Sequence, residues 1–212
     1  MKLVDRTISD VLEITASGAP APGGGSIAAL TGALGAALVG MVASLTVGRK
    51  MYADYDQLMI ESIDRAEKLR LQLADIIDRD TEAFKSVTAV FAMPKETDEE
   101  KNKRSAAMQT ALKSCVMTPV EIMECALSAI ELAHEMQGKF NPNTASDLGV
   151  AVLSLKAAVK GAWLNVLINL GGIKDTAFAA EYKKRGESII KKALPPADKI
   201  YNDVLQSFYY DF

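Results

Sequence analysis

The stretch IDRAEKLRLQLADIIDRDTEAFKSVTAVF, Ile63 to Phe91, carries the pattern on which the fold turns. Two seven-residue series run through it: Ala66, Leu73, position 80 and Val87, and Ile63, position 70, Ile77, Phe84 and Phe91. On an α-helix such a recurrence puts apolar side chains on one face, while Gln72, Asp75, Arg79, Glu82 and Ser86 trace the opposite, polar stripe. The spacing predicts a long helix from about Asp54 to Ala92, ended by Pro94. Position 80 breaks the rule, because an aspartate stands there among Ile76, Ile77 and Phe84. Asp75, Asp78 and Glu82 read as ordinary solvated acids.

Upstream of this helix, Thr7 and Asp10 are spaced as a capping box, and Ile8, Val11 and Leu12 predict a short amphipathic helix to about Ser17. Pro20, Pro22 and the run Gly23, Gly24, Gly25 break it, and Ser26 stands where an N-cap would open the next helix. No charge occurs from Ile14 through Gly48. The helical part of that run is rich in Ala, Gly, Ser and Thr, a weak composition for a bilayer span, so a buried helix is expected. Ala28, Gly32, Ala36 and Gly40 recur every four residues, making a groove for close helix approach and suggesting a central helix that crosses a subunit interface.

Downstream, Lys95 to Arg104 reads as a solvated loop and first turn with Thr97 and Glu100 as a capping box, followed by a helix to about Met117. Thr118 and Pro119 have the form of a new N-cap and first-turn proline, so a fresh helix is expected there, stopping near Gly138. Asn141, Pro142 and Asn143 form a turn. Ser146 and Asp147 open a long apolar helix to about Leu170, closed by Gly171 and Gly172, and a last helical region from Asp175 is expected to be interrupted at Pro195 and Pro196. No stretch shows strand patterning. The expected fold is all-α: one domain over 1–212, a bundle of long, mostly antiparallel helices.

With 212 residues and 49% of them hydrophobic, the chain can bury one continuous core. A net charge of -3 without a basic stripe argues against a nucleic-acid partner. Lys2 and Asp5 interrupt any early secretory run, so a cytoplasmic location is expected. Cys115 and Cys125 have no redox or metal spacing and read as small buried hydrophobes, and His134 has no partner at ligand spacing, so no metal site is expected.

Four features could carry chemistry. A buried carboxylate at Asp80 on the apolar face needs a partner or a raised pKa, and a raised pKa suits a general acid or base; a carboxylate satisfied by a buried lysine or a helix N-terminus fits the same pattern. Gly23, Gly24, Gly25 and Ser26 precede a helix whose free N–H groups favour an anion, though a capped turn explains them equally. Ala151, Ser154, Ala158, Gly161, Asn165 and Asn169 form a small and polar strip on the helix opened by Asp147, wide enough for a ligand or for a packed neighbour. Arg49 and Lys50 follow the uncharged helix, where cations commonly stabilise a C-terminus.

Five segments in order, Pro22-Gly-Gly-Gly-Ser26, Leu45-Thr-Val-Gly-Arg-Lys-Met-Tyr52, Asp78-Arg-Asp-Thr-Glu-Ala-Phe84, Ser146-Asp-Leu-Gly-Val-Ala151 and Asn165-Val-Leu-Ile-Asn-Leu170, resemble the cyclodeaminase/cyclohydrolase family. That family includes the C-terminal half of formiminotransferase-cyclodeaminase and free-standing methenyltetrahydrofolate cyclohydrolases. The resemblance implies an all-helical homodimer that dimerises through helices and binds a tetrahydrofolate derivative, polyglutamylated forms included, near the subunit interface. No cofactor beyond the tetrahydrofolate substrate and no membrane partner are implied. It also implies that Asp80 is the catalytic proton carrier, with Gly23, Gly24, Gly25, Ser26, Arg49, Lys50, Asp147 and Asn165 as substrate-binding candidates. Of the two reactions, formimidoyltetrahydrofolate cyclodeamination is placed ahead of methenyltetrahydrofolate cyclohydrolysis. A non-catalytic helical module binding a partner between Asp147 and Asn169 is the rival from another class.

Overall fold

The computed structural model describes residues 2–210; Met1, Asp211 and Phe212, the ends of the expected 1–212 domain, lie outside the described residues. Among them the chain forms α1 (Ile8–Ala16), α2 (Gly24–Ser44), α3 (Asp56–Phe91), α4 (Asp98–Met136), α5 (Ala145–Leu170) and α6 (Thr176–Tyr210), and no strand. Three short 3-10 turns at Leu3–Asp5, Lys50–Tyr55 and Pro142–Thr144 join them. Both capping boxes form as the sequence predicts, Thr7 with Asp10 opening α1 and Thr97 with Glu100 opening α4. Gly48, at φ 73°, takes the left-handed turn that ends the α2 region, a conformation that disfavours any Cβ.

The small residues of α2 decide the packing. A methyl group added at Gly32 would lie 3.2 Å from Ala158 Cβ and 3.3 Å from Leu73, one at Gly35 would lie 2.7 Å from Leu155, and one at Gly40 would lie 3.3 Å from Ala66. α2 is therefore clasped between α3 and α5 with almost no side chain between the backbones. Ala36, Val39, Val42 and Ala43 are fully buried in this seam. The Ala28 to Gly40 groove, expected to cross a subunit interface, is instead filled within one chain, because α3 and α5 supply the bulk that its small residues leave room for. α2 and the stretch Pro142–Leu170 are each long and apolar enough to span a bilayer.

Two expected breaks do not occur. α4 runs continuously through Pro119. Proline lacks the N–H that would have bonded the carbonyl of Cys115, and Asn169 of α5 supplies the missing donor, its Nδ2 lying 3.1 Å from Cys115 O. α6 likewise runs through Pro195 and Pro196. The carbonyls those prolines leave unbonded belong to Lys191 and Lys192, both exposed, where water can satisfy them. Asp78, expected to be solvated, is half-buried and accepts the Leu3 N–H at 2.6 Å, tying the N-terminal segment to α3.

Substituting Asn169 by Leu should leave the Cys115 carbonyl unsatisfied and cost roughly 1–3 kcal/mol in urea unfolding. In a Pro119→Ala background, which restores the helical N–H, the same substitution should cost much less. Equal costs in both backgrounds would rule out the substitution of one donor for the other.

Candidate active site

Asp80 lies where α3 passes the first turn of α2. Beyond that point α3 continues for about three turns without α2 beside it, and Phe84 and Phe91, which the periodicity assigns to the apolar face, are 40% and 62% exposed. Asp80 thus sits at the rim of the packed seam, half-buried. A methyl group at Gly25 would come within 2.2 Å of Asp80 Oδ1 and 2.6 Å of Oδ2. No side chain but hydrogen fits there, so the glycine run is what lets a carboxylate lie against a helix N-terminus.

Ser26 does not cap α2; Gly23 does, and the helix begins at Gly24. Ser26 is fully buried, and its hydroxyl donates to Asp80 Oδ2 at 2.9 Å and lies 3.1 Å from Thr81 Oγ1. Burial pushes the Asp80 carboxyl above the usual carboxylate range, and the Ser26 hydroxyl and N–H pull partly the other way. On the α4 side the nearby Cys115 thiol is pushed up to about 11, by burial first and by the Asp80 carboxylate second, and so stays protonated and unreactive at neutral pH. Cys115 is buried and Cys125 half-buried, both unpaired thiols.

α5 reaches the same rim. Gly24 faces Asn165, whose Nδ2 would stand 3.4 Å from a methyl group placed there. The amide is anchored by donating to Gly161 O at 2.9 Å, and its Oδ1 would stand 3.8 Å from the same methyl group. Gly23, Gly24, Gly25, Ser26, Asp80 and Asn165 are therefore brought together by three helices. Arg49, Lys50 and Asp147 are not. Arg49 and Lys50 follow the far end of α2, which has 21 residues and so spans about 30 Å, and Arg49 Nε donates to Leu45 O at 2.7 Å. They flank Asn141 and Asn143, while Asp147 opens α5 at that same end. Thr81 was not singled out by its sequence position, since its hydroxyl lies beside a helix that is distant in the chain.

Beside Ser26 a cleft of about 460 Å³ opens between α1, α2 and α3. Its walls are largely apolar, including Ile8, Leu12, Leu30 and Ile77, and Arg6 and Arg70 contribute to its lining. Arg70 is held by Glu67 on its own helix through two hydrogen bonds of 2.7 and 2.6 Å. Among the described residues no three His, Cys, Asp or Glu side chains converge in a way that could hold a metal ion.

A family model described as formiminotransferase-cyclodeaminase matches residues 7–188, and the chain belongs to that family. A methenyltetrahydrofolate cyclohydrolase of Methylorubrum extorquens is 42% identical over 200 residues, covering 94% of this chain and 96% of its own length. The formimidoyltransferase-cyclodeaminase of Sus scrofa is 35% identical over 191 residues, covering 90% of this chain, which spans only 35% of that longer protein. A crystal structure of formiminotetrahydrofolate cyclodeaminase from Thermotoga maritima matches the fold with a TM-score of 0.81 at 27% identity, over 94% of this chain and 98% of that one.

The raised carboxyl sets the sign of a stability effect. An acid whose pKa is higher folded than unfolded binds more protons in the native state, so stability is lost as pH rises through that window and the ionised group opposes folding at neutral pH. Asp80→Asn, which keeps an acceptor for Ser26, should leave the melting temperature at pH 7.5 unchanged or raise it. A fall of several degrees would show instead that the carboxylate is a structural anchor.

Proposed function

We propose that this protein is a soluble, cytoplasmic methenyltetrahydrofolate cyclohydrolase in which Asp80 is the general acid/base. Water adds to the cationic one-carbon bridge of 5,10-methenyltetrahydrofolate while Asp80 takes one of its protons. Asp80 then returns a proton to N5 as the C–N5 bond breaks, the hydroxyl proton of the tetrahedral intermediate leaves to solvent, and 10-formyltetrahydrofolate results. The observation that carries the reading is the half-buried Asp80 carboxyl, raised by burial and held by Ser26 at an open rim. A proton carrier with a pKa moved toward neutrality suits both halves of this reaction.

Sequence motifs alone place deamination first. The match to a cyclohydrolase, 42% identical over 94% of this chain and 96% of that protein, supports the opposite order. Cyclodeamination remains the second reading, favoured by the Thermotoga maritima cyclodeaminase fold, and it would use the same aspartate to move a proton to departing ammonia. The non-catalytic module is disfavoured because Ala151 and Ala158 of its strip are fully buried inside the chain.

The cleft beside Ser26 is the site we assign to the aromatic part of the folate, with Gly23, Gly24 and Asn165 at the reacting end. Arg70 and Arg6 are suited by charge to the glutamate carboxylates, including those of a polyglutamate tail. The pairing of Gly25 with Asp80 and Gly40 with Ala66 supports a mostly antiparallel bundle. Exposed apolar side chains, Leu34 at 57%, Leu164 at 67% and Ile168 at 78%, support a homodimer formed through α2 and α5. Arg49, Lys50 and Asp147 reach an Asp80 site only from the second copy.

Purified protein should deplete methenyl absorbance faster than the spontaneous rate. A rise in absorbance from 5-formiminotetrahydrofolate would install the deaminase reading in its place, and neither change would end the enzyme reading. Asp80→Asn should lower turnover by about 10²–10⁴-fold, the scale of a proton-transfer group. Light scattering should give the mass of a dimer; a monomer at assay concentration would remove Arg49, Lys50 and Asp147 from the site.

A further inference from the structure

Side-chain hydroxyls on the helices of this bundle commonly return their proton to the carbonyl four residues back. Thr31 does so to Ile27 at 2.8 Å, Ser44 to Gly40 at 2.9 Å, Ser62 to Leu58 at 2.7 Å and Thr118 to Ser114 at 3.1 Å. Thr81 departs from that habit, and Ser26, the third residue of α2, has no helix carbonyl four residues back to bond. Each sits within a helix, yet among the described hydrogen bonds neither hydroxyl is given to a helix carbonyl; they face each other at 3.1 Å, with Ser26 also 2.9 Å from Asp80 Oδ2. A hydroxyl has one proton to donate, and an ionised carboxylate only accepts. The Ser26 proton must therefore go to Asp80, which leaves only Ser26's lone pairs for Thr81 and makes Thr81 the donor in their contact.

We propose that Thr81 is a positioning residue of the reaction: its hydroxyl holds the Ser26 proton on Asp80 Oδ2 and so leaves Oδ1 as the oxygen that exchanges protons with substrate. Gly25 makes room for the whole group, since both oxygens of Asp80 lie within 2.6 Å of where a methyl group would stand there. The same arrangement serves both protonation states, because Ser26 donates to Oδ2 whether Oδ1 is bare or protonated, so no rotor has to turn between the two proton transfers. Without Thr81 nothing engages the lone pairs of the Ser26 hydroxyl, which is then free to rotate away from Oδ2, and Asp80 loses a donor that favours its anion.

Other groups around the carboxylate do not supply that control. Cys115 faces it from α4 as a neutral thiol, and Asn165 from α5 is a neutral amide next to Gly24. On α3 itself Asp78 is bonded to Leu3, Arg79 to Asp75 and Glu121, and Glu82 to Lys85. Among the described residues no lysine, arginine or histidine pairs with Asp80.

The proposal rests on Asp80 as the proton carrier, and the test separates the two. Thr81→Val keeps the side-chain shape and removes the hydroxyl. It should lower kcat about tenfold with KM near the wild-type value, as expected for one hydrogen bond acting in the transition state. The ascending limb of kcat against pH should move to higher pH, because the lost donation favours the anion. Thr81→Ser should restore both, and circular dichroism should be the same for all three proteins. Wild-type kcat and pH limb in Thr81→Val would overturn the proposal, as would Thr81→Ser being as impaired as Thr81→Val. If Asp80→Asn is inactive while Thr81→Val is normal, only the role of Thr81 falls. An active Asp80→Asn removes the proton carrier and the proposal with it.

Discussion

A carboxylate can enter the rim of a helical bundle only if a neighbouring side chain is missing, and here the missing one is that of Gly25. The space a single methyl group would need is taken by Asp80 Oδ1. Around that contact the first turn of α2, the middle of α3 and the last turns of α5 converge, and each residue of the candidate site is held relative to it. The same device recurs along α2, where Gly32, Gly35 and Gly40 allow α3 and α5 to close on the helix from two sides. The seam is therefore tightly packed up to Asp80 and looser beyond it, a gradient that raises the carboxyl by burial yet leaves it part-exposed.

The polar groups at the rim are satisfied through interactions between helices. Asn169 of α5 replaces the N–H that Pro119 lacks, the Ser26 hydroxyl of α2 turns to Asp80 and that of Thr81 to Ser26, whereas Asn165 is anchored within its own helix, on Gly161. Asn165 and Asn169 stand one turn apart on α5, so the amide that lets α4 pass straight through its proline neighbours the amide that faces the glycine run. Structural satisfaction and the candidate chemistry share one stretch of helix, which explains why a small and polar strip persists on an otherwise apolar element.

Membership of a family that contains both cyclohydrolases and cyclodeaminases fits a candidate site with one half-buried carboxyl. Both reactions pass through a tetrahedral carbon flanked by nitrogens, and both require one group to move a proton in and out. Asp80, placed by Gly25 and bonded by Ser26, is suited to either, and under the proposed function the difference between water and ammonia would arise at Gly23, Gly24 and Asn165 and in the cleft beside Ser26.

The helices were legible in the chain because their signals are local: seven-residue periodicity for α3, capping boxes at Thr7 and Thr97, and glycine and proline punctuation around α2 and after α5. Asp80 was legible too, as a charge on an apolar face. What the chain could not show were the relations between distant segments. Pro119 has the form of a helix start, and only the arrival of Asn169 from α5 lets α4 continue; Pro195 and Pro196 look like a break, and only their placement opposite exposed backbone makes them harmless. Ser26 has the form of a cap, and only the approach of α3 turns it into a donor to Asp80. Arg49, Lys50 and Asp147 look like companions of Asp80, yet the lengths of α2 and α5 carry them to the far end of the bundle. Sequence by itself determined most of the elements and marked Asp80 as the charge out of place, since periodicity and capping act within a few residues; tertiary structure alone decided which groups surround that residue, because burial and hydrogen bonding between helices depend on how segments far apart in the chain are packed.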